Sequence, residues 1–437
     1  MNTKINIYFH LIFSLALIPV ILFGPTFTKL LIMLYAAWLI MKKDAGSLPA
    51  LAIISSYMSN TFIIYFAVIV LSGINFKKLK SFGVHLVFIL LLIFLPYILY
   101  LTGLKIFVFG LKAGLVLNQF QLYFSMFAFF YGILIMESFN RKVMQVTMLT
   151  LVLLYLLSYV NLINPLFINV RLNFYTIPFF GAFFAYFLSS NVKDKQVAYF
   201  LIGTGIILSS VILTSSTFTI YLTTFFAFVL ASLYFRRRHY TLRRATGTSA
   251  FIIVILLLFY AITGFEKNDY SDYLGESMEE VNSIESLTNR IGMKFFDDRA
   301  PIWVGVWEDI IYEKNWLPPL EVENIRASAR STIKKIDFEF HSHNLYLELL
   351  RTNGIVMGFV LSFIFIYFSL LGRKILSIPN ADPLFIVFVT ASISTLIIGS
   401  FTGIYVLLST YAIFALTIVG VAYAVYNKSI LKKQQTP

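Results

Sequence analysis

Two histidines, His341 and His343, lie in the stretch HSHNLYLELLRTNG, directly before a long apolar run. An imidazole of ordinary pKa, about 6.5, can accept a proton from a hydroxyl near neutral pH. The same residues also fit a structural interpretation, in which Asn344 caps a membrane helix and Gly354 and Gly358 let neighbouring helices approach closely. The residue types alone leave both interpretations open.

The histidine pair does not predict a metal site. His341 and His343 are spaced H-x-H and follow Asp337 and Glu339. No helical H-x-x-x-H pair and no distant partner histidine completes a zinc-type ligand set. We therefore predict no metal and interpret the two carboxylates as a solvated face.

Arginines form the second group of residues that could carry chemistry. A planar guanidinium binds phosphate or pyrophosphate through two parallel hydrogen bonds. Arg299 directly precedes an amphipathic segment that contains tryptophan, and Arg171 lies between two apolar segments. Both are candidates for binding an anionic, lipid-linked substrate, whereas Arg326 and Arg330 fit a solvated surface.

Acidic residues are concentrated in one hydrophilic segment. Residues 264–343 contain 16 of the 21 acidic and 9 of the 34 basic residues, which leaves 5 acidic and 25 basic residues elsewhere. Glu348 is one of those 5. Placing an ionisable group in a membrane is unfavourable, and such groups are often functional, so Glu348 is a further candidate functional residue. It would also lie near the positive end of a helix capped by Asn344.

The composition predicts a polytopic α-helical membrane protein. Hydrophobic residues make up 59% and charged residues 13% of the 437 residues, whereas soluble domains average about 25% charged residues. The mean hydropathy is +0.82, and strand-like alternation is absent. Anionic lipid and the positive-inside rule explain the net charge of +13 without nucleic acid. The chain contains no cysteine, which excludes disulfides and thiolate chemistry.

The apolar segments predict about 12 transmembrane helices, since each is near the length that crosses a bilayer. They cover residues 6–23, 26–41, 48–72, 84–103, 120–138, 143–163, 174–190, 197–214, 215–235, 249–264, 345–371, 383–400 and 403–426. The basic cluster from Arg236 to Arg244 predicts a cytoplasmic C-terminus. Lysines flank segment 48–72 on both sides and cannot both be cytoplasmic if that segment crosses once, so the side of the N-terminal end stays open. The predicted domains are 1–264 (membrane helices), 265–344 (a large periplasmic loop) and 345–437 (membrane helices and a short tail).

The large loop is predicted to be partly helical. In RAPIWVGVWEDIIY, residues 299–312, the apolar side chains of Ile302, Val306 and Ile310 share one helical face. Pro318 and Pro319 then end the helix. A helical domain on the outer membrane face follows from this pattern.

The segment HNLYLELLRTNGIVMG resembles a motif of the O-antigen polymerase and O-antigen ligase superfamily, which reads H-N-x-x-L-x-x-L-x-x-x-G-x-x-G. His343, Asn344, Leu347, Leu350 and Gly354 match it in register. The resemblance covers mainly residues 200 to 430, and its motifs are short. It implies a membrane-embedded transferase of lipid-linked glycans.

A second motif matches, and two positions depart from the pattern. Arg299 and Trp303 correspond to the family's R-x-x-x-W segment in the same loop. Met357 stands where the family has its last glycine, and Gly358 follows one residue later. Thr217 replaces the arginine of a Thr/Ser-Arg pair, so Arg171 or Arg290 must supply that charge if the correspondence holds.

The resemblance implies a donor glycan on undecaprenyl pyrophosphate and a reaction on the periplasmic side of the bacterial inner membrane. His343 would be the base or would orient the acceptor. Arg299, Arg290 and Arg171 would bind the pyrophosphate beside Asn344, without metal or cofactor and with inversion at the sugar. A chain-length regulator and a flippase are the implied protein partners, next to the lipid bilayer.

The departures favour the polymerase, which is the more variable of the two enzymes. A ligase that moves the glycan to the lipid A core is the first alternative. A polysaccharide flippase or other transporter is the second, although few charges lie within the predicted spans, where transporters need them. A membrane sensor without enzymatic activity is the third.

Overall fold

The computed structural model describes residues 25–42, 76–108, 113–137, 139, 144, 177–189, 218–236, 303, 307, 310–311, 316, 344–378, 381–400 and 411–435. Its helices are α1 (Pro25–Lys42), α2 (Phe76–Ser81), α3 (His85–Gly103), α4 (Ala113–Ile135), α5 (Ile177–Ser189), α6 (Phe218–Arg236), α7 (Leu345–Asn353), α8 (Ile355–Gly372), α9 (Pro383–Ser394) and α10 (Tyr411–Gln435). A π-helical turn extends α3 to Val108, a 3-10 turn extends α8 to Ser377, and a π-helical turn extends α9 to Gly399. The described part of the chain contains no strand, which confirms the all-α prediction there.

Three of the described helices are long and apolar enough to cross a membrane: His85–Val108, Ile355–Ser377 and Ala412–Leu431. Shorter apolar helices cover Tyr123–Ile135, Thr223–Phe235 and Pro383–Gly399. The predicted segments 6–23, 48–72, 197–214 and 249–264, and all of 143–163 except Met144, lie outside the described residues. The total of about 12 spans therefore stays a prediction.

The predicted segment 345–371 is not one continuous helix. The structure divides it at Gly354 into the short α7 and the membrane-length α8. The reason is the backbone of Gly354, whose φ of 78° and ψ of 163° lie in a region that only glycine adopts readily. The membrane-crossing helix thus begins at Ile355, and α7 is a separate element in front of it.

Small residues bring α4 and α10 into close contact. A Cβ atom added at Gly132 would collide with the backbone carbonyl of Thr417, and one added at Gly420 would collide with that of Phe129. Helices in apolar surroundings gain attraction mainly by such close packing. Phe129 also stacks on Phe368 of α8 with ring centroids 4.1 Å apart, so α4 joins α8 to α10.

Several basic residues lie together at one end of this bundle. The Lys374 ammonium lies 5.5 Å from the centroid of the Tyr423 ring. The Tyr423 hydroxyl donates a hydrogen bond of 3.0 Å to the carbonyl of Phe82, one residue beyond α2. Lys77 and Lys80 of α2 are exposed, while Leu79 between them is fully buried. The C-terminal turn of α8 therefore lies close to α2 and to the middle of α10.

The helices α5, α6 and α9 also contribute to the described core. Two hydrogen bonds link α6 to the residues after α8 and to α9. The Tyr234 hydroxyl of α6 donates to the Ile378 carbonyl at 2.9 Å. Toward the opposite end of α6, the Thr223 carbonyl accepts a hydrogen bond of 2.6 Å from the Ser394 hydroxyl of α9. The end of α6 near Arg236 therefore lies at the same end of the bundle as the C-terminal turn of α8.

We expect that Gly132→Ala lowers stability by about 1–3 kcal/mol, because the added methyl group overlaps backbone that cannot move without separating α4 from α10. Thermal unfolding of the detergent-solubilised protein measures the change. Gly103→Ala is the matched control, because a Cβ atom there meets nothing within 4 Å. Equal midpoints for both variants would contradict the packing described for α4 and α10.

Candidate functional site

Asn344 caps the N-terminus of α7, as predicted. Its side-chain oxygen accepts hydrogen bonds from the backbone N–H groups of Tyr346 at 2.9 Å and Leu347 at 3.2 Å. Its backbone is extended, with φ −143° and ψ 118°, and its side chain is buried. An Asn in this position pairs two N–H groups that the first helical turn leaves open. The cap therefore sets where α7 begins.

An elbow at Gly354 turns the chain from α7 into α8, and the two helices then pack against each other. A Cβ atom added at Gly358 would lie 2.5 Å from the Leu350 Cα and 2.7 Å from the Leu349 carbonyl oxygen. The small size of Gly358 thus permits the close helix packing that its residue type predicts. The helix that packs against it is α7. The glycine that is shifted by one residue from the family motif is the one that makes this contact.

A buried ion pair lies on α7. Arg351 Nη2 is 2.7 Å from Glu348 Oε1, and the two side chains are only 9% and 3% exposed. The residues are three positions apart on the helix, a spacing that brings their side chains together. Removing two charges from water is unfavourable unless they neutralise each other, so each residue makes the burial of the other possible.

Residues of the large loop pack on the elbow. Ile310 is 1% exposed and forms an apolar cluster with Leu350, against which Leu347 and Ile355 pack. The backbone N–H of Val356 donates to the carbonyl of Trp316 at 3.1 Å. The loop thus contacts α7 through a side chain and the first turn of α8 through a backbone carbonyl.

The described loop residues agree with the amphipathic helix predicted for this segment. Trp303, Trp307, Ile310 and Ile311 have helical backbone, and Trp316 lies in a bend. Ile310 is buried, whereas Trp307 is 40% and Ile311 49% exposed. The inward face at Ile310 is confirmed; Ile302 and Val306 lie outside the described residues.

Most of the predicted site residues also lie outside the described residues. These are His343, Arg299, Arg290 and Arg171, together with His341. Asn344 is described, and its role as a cap is confirmed, while its role in binding substrate stays a prediction. The structure therefore defines the helix on which the candidate site is built.

The scarcity of acidic residues outside the loop points to Glu348 but does not identify its partner, Arg351. The spacing of three residues between opposite charges is the signal that could have identified Arg351. Burial of the pair could not have been foreseen, because it depends on how α7 folds back.

Tyr346 does not offer a second candidate base on α7. Its hydroxyl is buried and finds no hydrogen-bond partner among the described residues. Burial raises the pKa of the Tyr346 phenol above its ordinary value of 10.0. The phenol therefore stays neutral at physiological pH. Within the described residues, no three His, Asp or Glu side chains lie together as metal ligands would.

Compared with protein families, curated proteins and solved structures, the chain shows no significant match to any of them. The function is therefore argued from the residues and from the geometry of α7.

We expect that Arg351→Met destabilises the protein by about 3–5 kcal/mol, because it leaves the Glu348 carboxylate buried without its partner. The double variant Glu348→Gln/Arg351→Met carries no buried charge and should recover at least half of that loss. Thermal unfolding of the wild type, both single variants and the double variant in detergent forms a complete double-mutant cycle. Additive effects of the two substitutions would contradict the coupling.

Proposed function

We propose that the protein is a glycosyltransferase that polymerises undecaprenyl-pyrophosphate-linked oligosaccharide repeat units into O-antigen or a related surface polysaccharide. One observation carries the proposal: the described positions of the family-like motif each have a defined structural task around α7. Asn344 caps the helix, Leu347 and Leu350 pack with Ile310 of the loop, and Gly354 forms the elbow. These contacts fix the start of α7, directly after the proposed base, and join it to the loop and to α8.

The proposed base, His343, directly precedes the residue that caps α7. His343 is joined to Asn344 by one peptide bond, which sets their Cα atoms about 3.8 Å apart. The proposal makes the His343 imidazole the acceptor of the proton from an acceptor-sugar hydroxyl. As that proton leaves, the hydroxyl oxygen forms a bond to the donor's anomeric carbon.

The bond that breaks joins the anomeric carbon to the lipid pyrophosphate, which leaves with its electron pair. Attack from the face opposite the leaving group inverts the configuration at that carbon. The leaving group gains negative charge in the transition state, and fixed guanidinium groups stabilise such charge. Arg299, Arg290 and Arg171 have this role in the proposal, with Asn344 beside the base.

The proposal assigns the end of the bundle that carries α7 and the loop to the periplasm. The end with Lys77, Lys80 and Lys374 then faces the cytoplasm, as the positive-inside rule favours. The described residues 85–103, 113–135, 177–189, 355–372 and 383–394 contain no Asp, Glu, Lys or Arg, while Lys29 lies in α1 and Lys105 in the extension of α3. Few charges within the described helices favour an enzyme over a transporter, because charged groups inside a membrane often mark the path of an ion or substrate.

The first alternative is a ligase that transfers the same donor glycan to the lipid A core. Phenotype separates the two enzymes: cells without the polymerase keep one repeat unit on lipopolysaccharide, and cells without the ligase keep none. The departures at Thr217 and Met357 favour the polymerase, because that enzyme varies with its substrate.

We expect that His343→Ala reduces surface glycan to single repeat units, since the hydroxyl would lose its proton acceptor. Gel electrophoresis of lipopolysaccharide from a deletion strain carrying the variant gene measures chain length. The matched control is His341→Ala, which alters a histidine two residues away and should leave long chains unchanged. Immunoblotting of the membrane fraction verifies equal protein levels.

The result that overturns the catalytic role is long chains of wild-type length from His343→Ala at a normal protein level. Loss of all glycan, including the first repeat unit, from a deletion strain would instead favour the ligase.

A further inference from the structure

A groove lined by apolar side chains separates α3 from α8. It has a volume of about 490 Å³, and its lining includes Val87 and Leu90 of α3 and Phe359, Phe363 and Tyr367 of α8. Phe359 and Phe363 are 53% and 69% exposed. Because both helices are long and apolar enough to cross a membrane, we expect the groove to face the hydrocarbon, where it would suit an extended alkyl chain.

One end of the groove leads to the basic end of the bundle. Val87 lies in the first turn of α3, five residues after Phe82, whose carbonyl accepts the Tyr423 hydrogen bond. On α8, Lys374 follows Tyr367 by seven residues, the last two of them in the 3-10 turn, and so lies about 10 Å further along the helix axis. A molecule lying in the groove therefore has its end near Lys374.

Aromatic rings hold Lys374 in place at this end. Its ammonium lies 5.5 Å from the ring centroid of Tyr423 and 5.9 Å from that of Tyr426. Contacts of a cation with ring faces restrict a flexible lysine without neutralising its charge. Tyrosines are also common where a membrane helix meets the headgroups.

Among the described residues, positive charge is in excess at this end. Lys80, Arg373 and Lys374 are all exposed, and no ion pair involving them is found there. Two described carboxylates lie at the same end, and both are engaged. Glu137 pairs with Lys428 at 3.3 Å, and Asp382 caps α9.

We propose that this groove and the lysines at its end form a binding site for an anionic glycerophospholipid. One acyl chain lies along the groove, and the headgroup phosphate contacts Lys374 and Lys80. Charge complementarity selects an anionic lipid over a neutral one, since the groove alone would accept either. The headgroup end of this site, at the C-terminal turn of α8, lies about 27 Å from the elbow along 18 residues. The other end of the groove, at Phe359, is five residues from Gly354.

Native mass spectrometry of the full-length protein, titrated with phosphatidylglycerol, phosphatidylcholine or inorganic phosphate, tests the proposal. Phosphatidylglycerol should bind at least tenfold more tightly than phosphatidylcholine. Lys374→Gln and Lys80→Gln should each weaken its binding about fivefold, the effect of one basic residue at an anionic surface. Lys374→Arg should retain binding, and Val87→Phe, which narrows the groove, should weaken both lipids.

Lys428→Gln is the matched control, because Lys428 is exposed at the same end but already pairs with Glu137. An equal loss from Lys428→Gln and Lys374→Gln would show diffuse surface charge and overturn the site. Equal affinity for the two lipids would overturn the role of the lysines. Tight binding of phosphate alone, or a polyprenyl phosphate as the copurified occupant, would overturn the choice of lipid.

Discussion

The arrangement around the candidate site depends on the backbone of Gly354. With φ 78° and ψ 163°, it ends α7 and starts α8 within one residue. A side chain at this position would be strained, because L-residues rarely adopt that conformation. The elbow lets α7 lie against Gly358, where a Cβ atom would collide with the backbone of Leu349 and Leu350. On the same helix, Glu348 and Arg351 are buried as an ion pair.

The two ends of the bundle differ in chemistry. At one end, a short capped helix carries a neutralised ion pair and packs with an apolar residue of an acidic loop. At the other end, lysines and tyrosines surround the last turn of α8. The region between them is held by ring stacking and by glycines that bring α4 and α10 together. This difference is the basis of both proposals, which assign the reaction to the first end and headgroup binding to the second.

Sequence patterns predicted the helices well where a pattern has a single physical cause. Apolar length located α1, α3, α5, α6 and α9 to within a few residues of their observed bounds. The helical apolar spacing in the loop correctly placed Ile310 inward. Asn344 was predicted as a cap because its residue type and its place before an apolar run favour that role.

The features that sequence alone missed depend on backbone conformation or on contacts between elements. In the sequence, Gly354 resembles any other small residue in an apolar run. Its neighbours in the chain do not show whether it ends a helix or only allows close helix packing. The spacing of Glu348 and Arg351 allows an ion pair on α7, but spacing alone does not show that the pair is buried. The hydrogen bond from Val356 to Trp316 joins residues 40 apart in the chain, a distance at which periodicity carries no information.

The central claim is that the chain itself joins lipid-linked repeat units. The most direct measurement uses the purified protein in liposomes that contain only undecaprenyl-pyrophosphate-linked repeat units, with the products separated by size. The account predicts a ladder of lipid-linked polymer that forms without metal and is lost with His343→Ala. Transfer of the repeat unit across the bilayer without any change in its size would contradict the account and indicate a transporter.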